Sequence, residues 1–190
     1  DIVYIVLPNS MHKEYTIKAL EAGKHVICEK PLALNAIEAR EMIEISKKVN
    51  RELFVGYRLH YDPYHLEIIN ICRNKKFGKL QTMDNRFGFK IGNRENWKLK
   101  KSYGGGALMD VGIYAIQAAR YCSGKEPISL TARESKTNYS KFKEVDETIT
   151  WKMEFPDGII ADCKTSFSSN SNNLNLDFKN YVAELLKKGK

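Results

Sequence analysis

The first 57 residues alternate three short apolar runs with two amphipathic segments, and this order constrains the fold more than any other feature. Residues 2–7 are continuously apolar and rich in β-branched side chains, which is typical of a strand buried on both faces of a parallel sheet. Two further strands are predicted over His25–Cys28 and residues 53–57, with helices over residues 11–22 and 35–50. The order strand, helix, strand, helix, strand predicts a doubly wound α/β sheet.

The pattern changes after residue 62, where strand-like segments begin to follow one another. Helices are predicted over residues 64–74 and 106–122, and strands over residues 80–90, 128–137, 145–155 and 159–167. The last three strands have no crossover helices between them, which favours an antiparallel or mixed sheet. We therefore predict an α/β domain over residues 1–61 and an α+β domain with an open, mostly antiparallel sheet over residues 62–175.

The C-terminal end has a different composition. Residues 168–175 are polar and of low complexity, which predicts a flexible linker. Residues 176–190 are predicted to form a C-terminal helix, amphipathic over residues 176–188, that docks as a tail.

The chain has 31 Lys and Arg against 23 Asp and Glu, a formal charge of +8. The basic residues occur as pairs diluted by glutamates, as on solvated helix faces, so no nucleic-acid partner is predicted. An anionic ligand such as a phosphorylated cofactor explains a mild basic bias equally well. No apolar run approaches the roughly 18 residues that a membrane-spanning helix needs, so no membrane partner is predicted either.

The cysteines lie far apart in the sequence, without a C-x-x-C pair or a histidine grouping. They are predicted to be reduced, mostly buried thiols of a cytoplasmic protein, with no metal site. The chain begins inside an apolar run without a starting Met, so we expect its beginning to be missing. A periplasmic location is not excluded, because a leader would lie in that missing part.

Two polar motifs follow predicted strands of the first sheet. Lys30, in Glu29-Lys30-Pro31, falls at the carboxyl edge where ligands of open α/β sheets bind, and the proline gives its ammonium a defined direction. The alternative is a solvated surface lysine. Asn9, in the turn after the first strand, either meets a ribose or nicotinamide or caps the helix that follows.

A third motif, GGGALMDVGIY, opens the helix over residues 106–122 with three glycines that admit a ligand or another backbone. Asp110 and Tyr114 are four residues apart, and Gln117 and Tyr121 extend the same face. A catalytic cleft is one setting that pairs a carboxylate on a mostly buried helix. The alternative is an inter-domain aspartate beside a tyrosine that fills the core.

A fourth group, Arg58, His60 and Tyr61, lies where the chain leaves the first domain. These side chains either line the inter-domain cleft or form a hydrogen-bonded hinge without chemistry.

Together these motifs resemble the Gfo/Idh/MocA oxidoreductase family. The resemblance rests on PNxxH, ALEAGKHV, EKP followed by LALN, GYR at the domain crossing, and GGGALMDVGIY, and it runs from residue 1 to about 170. RLHYDPYH, Trp97 before the glycines, Tyr in place of the more frequent His at position 114, and CSGKEPISLTA are most similar to the branch of glucose-fructose oxidoreductase and dimeric dihydrodiol dehydrogenase.

The resemblance implies a partial Rossmann-type domain that binds NAD or NADP, followed by an α/β domain whose open sheet often mediates oligomerisation. By position in the motifs, it makes Tyr114 the catalytic acid/base, Lys30 a contact of nicotinamide and substrate, and Asp110 the acid that binds substrate and supports the catalytic group. The positions that it implies on the cofactor side are Pro8, Asn9, His12, Glu29, Lys30 and Arg58. The implied reaction is hydride transfer between nicotinamide and a sugar or polyol hydroxyl or carbonyl; the alternative is a non-catalytic binding or assembly protein on the same fold.

Two departures from the family pattern limit this interpretation. The family's first strand, glycine-rich turn and further βα unit are absent, so the preference for NAD or NADP is not readable. The family sheet also continues with further strands, whereas residues 168–175 lead directly to a helix, so we expect omitted residues at that junction.

The proposed chemistry makes a geometric prediction. Tyr114 would take the proton of the substrate hydroxyl, and since a free phenol titrates near 10, a nearby cation is needed to favour the phenolate. Lys30 is the candidate, so the two residues, although from different domains, are expected to face one cleft with their side-chain tips in direct or water-bridged contact. Tips more than about 10 Å apart would remove the basis of this activation.

The second sheet also predicts a partner. Ile149, Trp151, Met153 and Phe155 share one strand face and are expected to pack on the domain's own helices. The opposite face, with Thr150 and Lys152, is then left for a homodimer or homotetramer contact above roughly 1,000 Å².

Overall fold

A computed structural model describes residues 1–92 and 95–179. The helices are α1 His12–Glu21, α2 Ala36–Lys48, α3 Pro63–Arg73 and α4 Ile113–Ser123. The strands are β1 Ile2–Ile5, β2 His25–Cys28, β3 Leu53–Val55, β4 Leu80–Gly88, β5 Ser129–Ser135, β6 Thr148–Glu154, β7 Ile160–Ser166 and β8 Ser171–Phe178. They form two sheets, β1-β2-β3 and β5-β6-β7-β4-β8.

The first sheet is parallel throughout, as the sequence predicts. Leu20 of α1 and Met42 of α2 pack with Val26 and Cys28 of β2 into one buried cluster. The prediction that residues 2–7 are buried on both faces is wrong, since Ile2 is 63% exposed. Within the described residues β1 is an edge strand, and α1 and α2 pack against each other beside the sheet, so its other side is uncovered.

The second sheet is mixed and mostly antiparallel, as expected, with only the β4–β7 pair parallel within the described strands. The inward side chains of β6, Trp151 and Met153, are buried against α4, where Ala115 and Ala119 are fully enclosed. Lys152 lies on the exposed side of the same strand. The predicted division of β6 into a helix-covered face and an open polar face is therefore confirmed.

The last strand corrects the prediction for the C-terminal end. Residues 171–175 belong to β8, which pairs antiparallel with β4, so the predicted linker over residues 168–175 is wrong, as is a helix starting at residue 176. Leu174 and Leu176 pack on the core and Phe178 is buried in it, because alternate residues of a strand face the same side. The remainder of the predicted C-terminal helix, residues 180–190, lies outside the described residues.

A buried carboxylate joins the ends of three strands. Glu147 is 1% exposed and accepts hydrogen bonds from the backbone N–H groups of Thr137 and Asn138 at 2.7 and 3.0 Å. The hydroxyls of Thr137 and Ser168 each donate at 2.6 Å. Burial alone would raise the pKa of this carboxyl, but the four donors outweigh it and bring the pKa of Glu147 to about 2.

All four cysteines are buried. Burial raises the pKa of Cys28 to about 11 and the pKa of Cys163 to about 12, which suits unreactive core thiols. In the part of the chain that the structure describes, no helix is both long enough and apolar enough to cross a membrane.

Candidate active site

The carboxyl ends of β1, β2 and β3 lie at one edge of the first sheet, because the three strands are parallel. The N–H of Glu29 donates to the carbonyl of Ile5 at 3.0 Å, and the N–H of Gly56 donates to the carbonyl of Cys28 at 2.7 Å. The loops after β2 and β3 are thereby held side by side. This edge carries the residues that the sequence singled out in Glu29-Lys30-Pro31 and in the turn after β3.

Lys30 reaches from this edge to the start of α4 on the second sheet. Its ammonium donates to the backbone carbonyl of Asp110 at 2.6 Å and lies 3.3 Å from Asp110 Oδ1. The same Nζ is 4.9 Å from the centre of the Tyr114 ring, within cation–π range. Lys30, in the loop after β2, and Tyr114, on α4, are therefore neighbours, as predicted; a contact between the ammonium and the phenol oxygen stays a prediction.

A second lysine at this point was missed from the sequence. Lys98 Nζ lies 2.7 Å from Asp110 Oδ2, so the carboxylate of Asp110 contacts an ammonium on each oxygen. Only 9% of the Asp110 side chain is exposed, and two cations against one anion leave the cluster with a net positive charge. The sequence alone does not distinguish Lys98 from the solvated lysines near it, because its spacing does not indicate a contact with Asp110.

The three glycines admit another backbone, which is one of the two readings left open from the sequence. A Cβ on Gly105 would lie 2.2 Å from the carbonyl oxygen of Lys98, and the N–H of Gly106 donates to that oxygen at 2.9 Å. Gly106 has a φ of +115°, which disfavours residues with a side chain. The glycines therefore pack the Lys98 loop directly onto the start of the helix.

The helix itself begins with a π-helical turn, Leu108–Gly112, which runs into α4. Asp146 accepts from the N–H of Leu108 at 2.8 Å and so satisfies a free donor at the helix start. Asp110 lies inside the π turn, and such turns are frequent at functional sites.

Three of the predicted cofactor-side residues support the loops of this edge. The Asn9 amide donates to the carbonyl of Gly104 at 2.7 Å, and Pro8 begins the turn that carries Asn9. The ring nitrogens of fully buried His12 lie 2.8 and 2.9 Å from the carbonyl oxygens of Pro31 and Leu7. These polar contacts position the loop that carries Lys30, and direct contact with a cofactor stays a prediction for these residues.

A cleft of about 400 Å³ opens beside Tyr114, between the turn after β3 and the second sheet. Its lining combines aromatic rings with polar side chains, as ligand sites commonly do. The residues around it are Arg58, Leu59, His65, Phe87, Gly88, Phe89, Val111, Tyr114 and Asn172. The sequence missed Phe87, Phe89 and Asn172 as site residues, because a strand pattern does not show which end meets a cleft and residue 172 was assigned to a linker.

A cluster of aromatic rings packs against Tyr114. The Tyr57 ring centre is 5.4 Å from that of Tyr114, and His60 stacks on Tyr57 at 4.4 Å and on Tyr121 at 4.6 Å. Burial lowers the pKa of His60. Of the predicted junction group, Arg58 lines the cleft and His60 packs among these aromatic rings. Tyr61 is 73% exposed and is not among the residues that line the cleft.

A nicotinamide cofactor fits one part of this edge. Glu29 and Lys30 put a carboxylate and an ammonium at the carboxyl ends of parallel strands, where a ribose diol and a nicotinamide ring find hydrogen-bonding partners. The N–H of Lys30 and the hydroxyl of Tyr4 already donate to the Glu29 carboxylate, which fixes its direction. Contact of Lys30 and Glu29 with the nicotinamide end of a cofactor stays a prediction that this geometry allows.

A parallel sheet with an ammonium at its carboxyl edge, beside a tyrosine of the helix that packs on a second, mixed sheet, is the arrangement expected of a nicotinamide-dependent oxidoreductase. Residues 1–57 match the model of an oxidoreductase family with an NAD-binding Rossmann fold, and residues 65–182 match the GFO/IDH/MocA C-terminal domain. The chain belongs to the Gfo/Idh/MocA oxidoreductase family, as the sequence motifs predict.

Individual proteins agree with the family assignment. The chain is 32% identical to trans-1,2-dihydrobenzene-1,2-diol dehydrogenase of Xenopus laevis over 82% of its own length and 46% of that protein. It is 27% identical to D-xylose 1-dehydrogenase [NADP(+)] of Haloarcula marismortui, over 87% and 48%. The crystal structure of aldose-aldose oxidoreductase from Caulobacter crescentus, in complex with glycerol, superposes with a TM-score of 0.90 at 40% identity, over 94% and 54%. The chain thus spans about half the length of the relatives it matches.

Proposed function

We propose that the whole protein transfers a hydride between the nicotinamide of NAD or NADP and a sugar or polyol, interconverting a hydroxyl and a carbonyl. The observation that carries this proposal is the contact of Lys30 with both Asp110 and the ring of Tyr114, which itself lines the cleft. The relatives named above are a dihydrodiol dehydrogenase, a xylose dehydrogenase and an aldose-aldose oxidoreductase, and such substrates share vicinal hydroxyl groups.

In this proposal Tyr114 is the acid/base. During oxidation its phenolate oxygen takes the proton of the substrate hydroxyl, the C–H bond breaks, and the carbonyl forms; during reduction Tyr114 returns the proton. When bound, the nicotinamide supplies or accepts the hydride. Lys30 favours the phenolate by its positive charge, and Asp110 holds Lys30 and offers its remaining lone pairs to a substrate hydroxyl.

The direct test is turnover by the full-length protein. Purified protein is mixed with NAD or NADP and a panel of aldoses and polyols, and the absorbance of the reduced cofactor is followed. We expect turnover with at least one neutral sugar. Absence of turnover on every substrate, together with a fluorescence titration showing that NADPH does not bind, would instead support the non-catalytic assembly protein.

We also propose that the open face of the second sheet, with Thr150 and Lys152, is buried in a homodimer or homotetramer. Both side chains are exposed, and charged residues surround a shallow depression of about 460 Å³ on this face.

A double substitution, Thr150→Glu with Lys152→Glu, tests this interface. It is expected to convert the oligomer to monomers in light scattering, because an interface above roughly 1,000 Å² would then have to desolvate two new charges. Lys48→Glu on exposed α2 is the control and leaves the mass unchanged. A wild-type protein that is monomeric at micromolar concentration would refute the proposal.

We place the protein in the cytoplasm, without nucleic-acid or membrane partners. The support is the set of four buried thiols and the dispersed basic pairs. Fractionation of cells that express the full-length protein, with detection in the cytoplasmic fraction, tests the location.

A further inference from the structure

We propose that Lys98 is a positioning residue of this site: it holds the Asp110 carboxylate and supplies a second positive charge, so that Lys30 stays directed at Tyr114. This inference rests on the proposed function of Tyr114. It assigns a role to a residue outside the motifs that carry the family resemblance.

The contacts of Asp110 indicate why Lys30 alone does not satisfy its carboxylate. A carboxylate whose side chain is 9% exposed must be paired to stay ionised. Lys30 Nζ makes its shorter contact, 2.6 Å, with the backbone carbonyl of Asp110 and stands 3.3 Å from Oδ1, whereas Lys98 Nζ lies 2.7 Å from Oδ2. Lys98 is therefore the closer partner of the carboxylate. Without it, Asp110 would draw Lys30 away from the face of Tyr114.

The chain holds Lys98 in place by contacts on each side of its backbone. The side chain of Asn96 accepts from the Lys98 N–H at 3.0 Å, and the Lys98 carbonyl accepts from Gly106 at 2.9 Å. The Lys98 ammonium also lies 5.3 Å from the ring centre of Phe89 and 5.9 Å from that of Trp97. The backbone contacts fix the point from which the Lys98 side chain extends, and holding a long side chain in advance lowers the entropy cost of its ion pair with Asp110.

Besides Lys98, other titratable groups lie around Tyr114. They are Lys30 after β2, Tyr57, Arg58 and His60 after β3, His65 on α3, Asp110 in the π turn and Tyr121 on α4. Replacing Lys98 by Met removes one positive charge from this set and leaves Asp110 with Lys30 alone. The loss disfavours the phenolate, which is the form that accepts a proton during oxidation.

The experiment compares K98M, K98R and the control K100M in the full-length enzyme. Lys100 is two residues away, exposed, and paired with Glu95 rather than with Asp110. We expect K98M to lower kcat/KM for sugar oxidation about tenfold at neutral pH and to move the midpoint of its rise with pH upward by about one unit. K98R restores the charge and is expected within threefold of wild type, as is K100M.

A second readout needs no turnover. The tyrosinate absorbance of Tyr114 is isolated by subtracting the ultraviolet titration curve of Y114F from that of wild type. For the variant, the curve of the double variant K98M/Y114F is subtracted from that of K98M. We expect the isolated midpoint to be higher in K98M. Circular dichroism shows whether K98M is folded. If it is not, K98Q is used in its place.

The inference is overturned if K98M or K98Q leaves both midpoints unchanged, even where the rate falls equally at every pH, because a purely structural role predicts that result. A wild type that turns over no sugar refutes the proposed function instead. In that case the absorbance titration still decides the role of Lys98.

Discussion

Replacing Tyr114 by Phe in the full-length enzyme is expected to lower kcat/KM by about 100-fold, the usual contribution of a general acid/base. The ring stays, so its packing on Tyr57 and Phe87, at 5.4 and 5.7 Å between ring centres, is retained and the fold is unaffected. Only the hydroxyl that exchanges the proton is lost. Steady-state kinetics, with NADPH binding measured separately by fluorescence, distinguish a loss of chemistry from a loss of cofactor.

Tyr121→Phe is the matched control, since Tyr121 is on the same helix and packs on His60 but does not line the cleft. It is expected to stay within threefold of wild type. If Y114F also stayed within threefold, the acid/base would have to be another residue.

Replacing Glu147 by Gln is expected to lower the free energy of unfolding by about 2–3 kcal/mol at neutral pH, typical of losing hydrogen bonds to a buried charge. The amide has one acceptor oxygen where the carboxylate has two, and its NH₂ group would face the donors of Thr137, Asn138 or Ser168. Urea unfolding followed by circular dichroism measures the change.

The same carboxylate predicts a pH dependence. The folded pKa of about 2 lies below the ordinary value of 4.5, so its stabilisation is full above 4.5 and is lost as the pH falls from 4.5 through 2. E147Q is therefore expected to lose less stability than wild type between pH 5 and about pH 3. Glu154→Gln, at an exposed position of β6, is the control and follows wild type at every pH. A parallel acid response of E147Q and wild type would contradict the assignment.

The positions of Lys30 and Tyr114 could be predicted from the sequence because each is tied to a strong local pattern. A β-branched run followed by Glu29-Lys30-Pro31 marks the end of a parallel strand, and the end of such a strand is where ligands bind. Asp110 and Tyr114 follow three glycines at helical spacing. In both cases the local pattern predicts the position of the residue, whereas the sequence leaves open whether its side chain contacts a ligand.

Lys98 and β8 could not be predicted because their roles depend on distant partners. Lys98 lies in a loop whose course is set by its packing on Gly105 and Gly106, and no periodicity reports that contact. In β8, the apolar alternation of Leu174, Leu176 and Phe178 was present, but Asn175 and Asp177 between them have low strand propensity. Pairing with β4 supplies the stabilisation that the local sequence lacks.

The contacts that assemble the site also set an order on how the chain folds. The Lys30–Asp110 and Asn9–Gly104 hydrogen bonds join residues 80 and 95 positions apart, whereas the parallel pairs of the first sheet close much shorter loops. Closing longer loops costs more chain entropy, so these two bonds are expected to form after the first sheet, whereas the pairing of β4 with β8 closes a loop as long as theirs. The contact of Lys30 with Asp110 is thus expected late in folding, and a partly folded chain has the first sheet without it.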